Sequence, residues 1–307
     1  MNMPPYVSII SGANSGIGLE IAKELAVLFA KEKTKYTPTI ILAVRNLVKG
    51  EAAVAEILAE NPTVKNKVNL EAAHLDLADL NSVYKFADAI KAKYKEIDLL
   101  INNAGVMNIP FANTAQGYEM QFGVNYLAHF ALTTALLRNM APEGKIITMS
   151  SMVARNGKIN FASFQTSKDY RPRVAYSQSK LANLVFGLEL ARRLENQKSS
   201  VQSIVVHPGL TNTNLFNHGR GKMSFSTKMF LETFAMPVRG GAESTIMAIT
   251  NPEVNSGDFL GPQFMAFGKS VKIKPFRNAL KADLGRQLWQ ESERLVELAP
   301  KGEVLEN

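Results

Sequence analysis

The sequence contains no cysteine. That absence excludes disulfides, thiolate-held metals and cysteine nucleophiles together, and it fits a reducing compartment. Histidine is almost as scarce. His74, His129, His207 and His218 are scattered, and none stands in a ligand spacing such as H-E-x-x-H, which argues against a metal enzyme. No apolar run approaches the roughly 18–20 residues that a membrane span needs. The opening residues, MNMPPYVSII, lack a basic segment followed by an apolar stretch and a cleavage signal. A cytoplasmic protein with no membrane span is therefore expected. The net charge of +8 invites a nucleic-acid partner, but the lysines are dispersed: Lys31, Lys33 and Lys35, then Lys91, Lys93 and Lys95, then Lys269, Lys272 and Lys274. There is no basic stripe with interleaved aromatics on which bases could stack. No nucleic-acid binding is expected, although the charge can draw in an anionic cofactor.

What is abundant is apolar sequence in short runs. Of the 307 residues, 46% are hydrophobic and 20% charged, ordinary proportions for a chain with a buried core. The runs YVSII (6–10), TIILAV (39–44), VNLEAAHLD (68–76), IDLLINN (97–103), KIITMSS (145–151) and VQSIVVH (201–207) have strand character. Between them lie helical stretches: one from Ile17, then 47–60, 82–94, 122–140, and one from Tyr176 to about Asn196. Strands apolar on both faces, separated by helices, predict a parallel sheet covered on both sides. Right-handed crossovers then give an α/β Rossmann-type doubly wound sheet of about seven strands with helices on both faces. No linker or internal repeat interrupts the pattern, so residues 1–307 are expected to form one domain.

Two local patterns carry chemistry. The first strand runs into SGANSGIGLE, with Gly12, Gly16 and Gly18 spaced G-x-x-x-G-x-G. Glycines permit a tight turn and close backbone approach, and the helix that follows offers free N–H groups to a phosphate. The second strand ends LAVRN, where a free ribose 2′-hydroxyl would want an acid and a 2′-phosphate a cation; the chain offers Arg45 and no acid. NADP(H) is the expected cofactor. The second pattern is YSQSK (176–180), which puts Tyr176 and Lys180 on one helix face. By itself that pair reads more readily as two polar side chains on a solvated helix face.

Together with HLDL (74–77), NNAG (102–105), Asn125, MSS (149–151) and HPGLTNT (207–213), these pieces resemble the short-chain dehydrogenase/reductase superfamily. The order and the elements match from residue 7 to about 215. The segments VRNLVKGE, GVNYLAHFALTTALL and YSQSKLANLVFGLELARRLE are similar to the retinol dehydrogenase and carbonyl reductase branch. The stretch between Ser151 and Tyr176 exceeds the family's usual interval, but that branch carries a similar insertion, here KINFASFQTSKDYRPR. The cation often found before the second glycine is missing, since that position is Ser15. The segment AKEKTKYTP (30–38) is longer than usual, and, since the first strand starts almost at once, the N-terminal anchor of vertebrate retinol dehydrogenases is expected to be absent.

The resemblance implies an NADP-dependent oxidoreductase that moves a hydride between NADP(H) and a hydrophobic, bulky aldehyde, ketone or secondary alcohol. Tyr176 would exchange a proton with the substrate oxygen, and Ser151, with Ser150 as the fallback, would hydrogen-bond it. A free tyrosine ionises at about pH 10, and a nearby lysine and a cationic nicotinamide would lower that value. Asn125 would anchor a water that links Lys180 to solvent, and Lys180 would also bond the nicotinamide ribose. Around the cofactor the resemblance places Gly12, Asn14, Ser15, Gly16, Ile17 and Gly18 in the phosphate turn, Arg45 at the 2′-phosphate, and Asp76 and Leu77 at the adenine. Asn103, Ala104 and Gly105 follow on the ribose side, Tyr176 and Lys180 at the nicotinamide ribose, and Pro208, Gly209, Thr211 and Thr213 at the nicotinamide. The Met- and Phe-rich stretch around 214–237 would form a substrate lid, the region around 278–298 a packing helix, and the protein a possible homodimer. A non-catalytic NADP-binding sensor would be expected to have lost the Tyr, Lys or Ser, and all are present. A double-bond reductase of the protochlorophyllide reductase type would carry characteristic cysteines that this chain lacks.

Overall fold

Strands with no polar face need cover on both sides, and the chain supplies it by alternation. β1 (Val7–Ser11), α1 (Gly16–Lys31), β2 (Thr39–Val44), α2 (Leu47–Glu60), β3 (Asn69–His74), α3 (Leu80–Lys93) and β4 (Ile97–Asn102) form the first half. A short α4 (Met120–Phe122) passes through a π-helical turn (Gly123–Leu127) into α5 (Ala128–Leu136), and β5 (Met140–Met149) follows. α6 (Pro172–Asn196), β6 (Gln202–Val206), α7 (Val238–Thr250), β7 (Phe259–Pro262), β8 (Ser270–Ile273) and α8 (Ala282–Val296) complete the described elements. The computed structural model describes residues 6–32, 36–210 and 238–296.

All strands join one sheet in the order β3-β2-β1-β4-β5-β6-β7-β8. The pairings from β3 through β7 are parallel, with Ile9 of β1 flanked by Ile41 of β2 on one side and Leu100 of β4 on the other. The order reverses between β1 and β4, so the first half of the chain winds one way and the second half the other. In such sheets ligands sit outside the carboxyl ends of the strands at that reversal.

Two cores flank the sheet. One face packs α1, α2 and α7 through residues such as Ile21, Leu25, Ile57 and Ala248. The other packs α3, α5, α6 and α8 through Phe86, Phe130, Leu184, Phe186 and Trp289. α8 closes this second face: Trp289 lies edge-on to Phe130 at 5.0 Å and stacked on Phe186 at 5.9 Å between ring centroids. Tyr126 bonds Ser292 at 2.6 Å, and the hydroxyls of Tyr84 and Tyr118 donate to the carbonyls of Val296 and Leu295. α8 thus packs on this face with Leu288, Trp289 and Leu295 buried.

The sheet departs from expectation at one edge. Among the described residues it has eight strands rather than about seven, and the eighth is antiparallel to β7. β7 and β8 have only four residues each, and β7 ends in Gly261 and Pro262, a pattern that has the look of a turn. Gly261 is required there because a Cβ would stand 2.1 Å from His207 Nε2. The single helix expected over 122–140 is also broken, by the π turn and by the entry of β5 at Met140.

Candidate active site

The carboxyl ends of β1, β4, β5 and β6 open onto one edge of the sheet. After β1, Gly12 and Gly16 adopt left-handed φ values of 69° and 58°, which favour glycine. Gly12 and Gly18 also allow contact. A Cβ on Gly12 would lie 2.9 Å from Ala104 Cβ, and one on Gly18 would lie 2.5 Å from both Asn103 Nδ2 and the Gly12 carbonyl oxygen. The glycine turn and the NNAG loop are therefore packed against each other. Asn103 Nδ2 donates to the Ser11 carbonyl at 2.8 Å, beneath the turn. Ser15 is the N-cap of α1, but its side chain makes no capping bond and the first turn holds no acid. Both features suit an anion at this end of the helix. Asn14 and Ile17 are half-buried beside it.

Arg45 directly follows β2 and is exposed, while Asn46 caps α2 by accepting from Lys49 N at 3.0 Å. After β3, Asp76 Oδ1 accepts from Ala78 N at 2.9 Å and Leu77 is buried. After β6, Gly209 has φ 71° and its N–H donates to His207 Nδ1 at 3.2 Å, with Pro208 half-buried between them. Thr211, Thr213 and the expected lid (214–237) lie outside the described residues.

The Tyr and Lys of YSQSK stand on the first turns of α6, which Pro172 starts at a position where a missing N–H costs nothing. Lys180 is buried, and its Nζ donates to the Met149 carbonyl at the end of β5, 3.0 Å away. Asn183 donates to the same carbonyl at 2.9 Å. Gly105 faces this lysine: a Cβ there would lie 3.6 Å from Nζ and 3.1 Å from Asn125 Oδ1. The two serines after β5 separate in role. Ser150 is buried and donates to the Lys180 carbonyl at 2.8 Å, a structural bond. Ser151 is half-buried, its Oγ accepts from Val153 N at 3.4 Å, and it acts on the Tyr176 phenol in the lowering direction.

The sequence profile described as short chain dehydrogenase matches residues 6–223. The chain belongs to the short-chain dehydrogenase family. Human retinol dehydrogenase 13 is 38% identical over 305 residues, covering 96% of this chain and 86% of the relative. Human retinol dehydrogenase 11 is 35% identical, covering 95% of this chain and 86% of the relative. Among solved structures, an uncharacterized protein from Mycobacterium Paratuberculosis superposes with a TM-score of 0.76 at 36% identity, covering 96% of this chain and 95% of that one. No helix among the described residues is long and apolar enough to cross a membrane.

Burial dominates the electrostatics of this short-chain dehydrogenase site. Burial pushes the Tyr176 phenol up to about 12, and Ser151 acts in the lowering direction. Burial pushes the Lys180 ammonium down to about 8. The expectation that lysine lowers the tyrosine thus meets a larger opposing effect within the polypeptide. The phenol is held protonated at neutral pH, and the lysine remains mostly charged.

Asn125 sits inside the π turn with its carboxamide fully engaged. Its Oδ1 accepts from Val106 N at 2.7 Å, and its Nδ2 donates to the Val106 carbonyl and to Ser179 Oγ, each at 2.9 Å. Its main-chain carbonyl meets His129 Nδ1 at 3.0 Å. Sequence reasoning missed His129 and Ser11, which lie among apolar residues; a polar residue kept in a buried strand or helix is the signal that could have found them. It also missed the pin that holds the insertion. Tyr170 OH lies 3.0 Å from the Ile109 carbonyl and 3.1 Å from Glu119 Oε1, and accepts from Gln121 Nε2 at 2.8 Å. Phe164 stacks on Phe122 with ring centroids 3.7 Å apart. The insertion is tied to the segment around 109–122, and the outer face of α5 and α6 is covered by α8.

Proposed function

We propose that this chain is an NADP(H)-dependent oxidoreductase acting on a hydrophobic aldehyde, ketone or secondary alcohol. The observation that carries the reading is the half-buried Tyr176, one helical turn from the buried Lys180 that bonds the end of β5, at the same sheet edge as the glycine turn. The residues fit a dinucleotide. Side chains at Gly12 or Gly18 would collide with the NNAG loop, and the uncapped start of α1 suits a phosphate.

Gly12, Asn14, Ser15, Gly16, Ile17 and Gly18 would hold the phosphates, Arg45 the 2′-phosphate, Asp76 and Leu77 the adenine, and Asn103, Ala104 and Gly105 the ribose side. Pro208, Gly209, Thr211 and Thr213 would flank the nicotinamide, and Lys180 would bond its ribose. Bound there, the nicotinamide supplies or accepts the hydride. In reduction Tyr176 gives its phenolic proton to the carbonyl oxygen while Ser151 donates a hydrogen bond to the same oxygen. In oxidation the tyrosine takes the proton back from the alcohol. The Lys180 charge stabilises the phenolate left after proton donation. The retinol dehydrogenase relatives support a long apolar alcohol or aldehyde as substrate.

The test is consumption of NADPH against NADH with a panel of hydrophobic aldehydes and ketones, retinal included, on the intact protein and on Tyr176→Phe. NADPH turnover that falls by about 100-fold or more in the variant is expected for loss of a positioned acid. Equal use of NADH refutes the role of Arg45. Tight NADPH binding without any turnover favours a sensor.

A further inference from the structure

The geometry points to His129 as a positioning residue: one buried imidazole joins the two clamps that hold the loop 103–106 between the nucleotide turn and Lys180. The inference rests on the oxidoreductase reading, because it assigns that loop a place against the cofactor.

The loop is held at both ends. At its start the N–H groups of Asn103 and Ala104 donate to Ser11 Oγ, at 2.9 and 3.0 Å. At its end the N–H and carbonyl of Val106 are both bonded by the Asn125 carboxamide. Between these clamps Gly105 faces Lys180 Nζ and Asn125 Oδ1. His129 touches both clamps, with Nε2 2.8 Å from Ser11 Oγ and Nδ1 3.0 Å from the Asn125 carbonyl. His129, Ser11 and Asn125 are each at most 1% exposed.

Donor and acceptor counting fixes the direction of every bond. A carbonyl only accepts, so Nδ1 carries the proton and Nε2 presents its lone pair. Ser11 then donates its hydroxyl proton to Nε2 and keeps both oxygen lone pairs for the two loop N–H groups. The competing Ile101 carbonyl is farther, at 3.3 Å. A doubly protonated ring would aim a third donor at an oxygen with two lone pairs. Burial disfavours that form, pushing the imidazole down to about 4, with the Lys180 charge adding to the effect. The network is complete in one tautomer only, and a complete buried network is rigid.

The strut therefore acts through Ser11 and Asn125 to set where the loop lies, and contributes no proton to the reaction. Its loss should weaken cofactor binding more than it slows the chemistry. The experiment compares Ser11→Ala, His129→Leu, the double variant, and His129→Gln, whose longer amide can still reach Ser11. NADPH affinity is read by fluorescence titration, and KM for NADPH is measured separately from kcat at saturation. We expect Ser11→Ala and His129→Leu each to weaken NADPH binding by about tenfold, the double variant to be no worse than either, and kcat to fall less than about threefold. His129→Gln should restore most of the affinity. Should His129→Leu not fold, Ser11→Ala against His129→Gln carries the comparison. Losses that multiply in the double variant, unchanged NADPH affinity in folded variants, or a fall in kcat alone would overturn the inference. Failure of the unaltered protein to bind NADPH would instead overturn the functional reading beneath it.

Discussion

Replacing Trp289 by alanine should separate the stability of this enzyme from its chemistry. The indole is 2% exposed and sits between Phe130 and Phe186, with the Arg193 guanidinium 4.2 Å from its ring centroid and its N–H donating to Glu293. Truncating a buried tryptophan costs about 3–5 kcal/mol in lost transfer energy and residual cavity. The cation–π contact adds about 1–2 kcal/mol at a desolvated site, and part of that overlaps with the first figure. About 4 kcal/mol is therefore a fair total, equivalent to a fall in Tm of roughly 8–16 °C for a domain of this size. Trp289→Phe keeps an aromatic ring in the stack and should lose about 1–2 kcal/mol. Thermal unfolding followed by circular dichroism reads both. The contacts fall on the second half of α6, near Phe186 and Arg193, whereas Tyr176 and Lys180 stand on its first turns. At 25 °C the folded Trp289→Ala protein should keep kcat within about threefold. A Tm drop below about 3 °C would show that α8 is not the seal of this face, and a kcat that collapses in the folded variant would show that the two halves of α6 are not independent.

Three further outcomes follow from the geometry. Gly18→Ala should weaken NADPH binding by about tenfold or more, because its Cβ would press on the Asn103 amide and the Gly12 backbone. Gly16→Ala, with nothing within 4 Å of a Cβ but φ at 58°, should cost only about 1–2 kcal/mol of stability; equal affinity losses for the two would refute this account of the turn. In the free enzyme kcat/KM should fall as pH rises through about 8, as Lys180 loses its charge, and a rate profile flat to pH 10 would contradict it. Glu189→Gln leaves the buried Arg193 without its carboxylate, bonded at 2.8 Å, and should cost about 3–5 kcal/mol at pH 7. Arg192 and Arg193 hold the Glu189 carboxyl below its ordinary value of 4.5 against the opposing effect of burial. Its contribution is thus present above that pH and lost as pH falls through the lower folded value. Urea midpoints of the two proteins should converge in acid; a constant gap would refute the assignment.

Much of the site was legible because its requirements are local. The strand, glycine turn and helix that begin the fold are contiguous, and the left-handed φ at Gly12 and Gly16 is a demand of the turn itself. Tyr176 and Lys180 share a face by helical period alone. The choice of Ser151 over Ser150 rested on resemblance; the Ser150 hydroxyl is spent on the Lys180 carbonyl, and Ser151 remains the proposed partner of the substrate oxygen. Other features depend on partners far off in sequence. Nothing near Ser11 announces His129, which is 118 residues away, and nothing near Asn125 announces that its carboxamide is spent on Val106 and Ser179. The last two strands escaped for the opposite reason: β7 and β8 are too short for a period to register, and Gly261 serves the His207 ring rather than a turn.

The lateness of α8 in the chain bears on how the protein is made. The aromatic face formed by Tyr126, Phe130 and Phe186 is finished only when Trp289 is in place. Roughly 100 residues separate Phe186 from that tryptophan, about 5–20 s of synthesis at ordinary rates. Through that interval a nascent chain can already pair its parallel strands while several large rings remain without their cover. A ribosome-bound protein in that condition is a natural client for a chaperone that shields apolar surface, and a stop codon placed before α8 should yield a chain that aggregates rather than one that merely works less well.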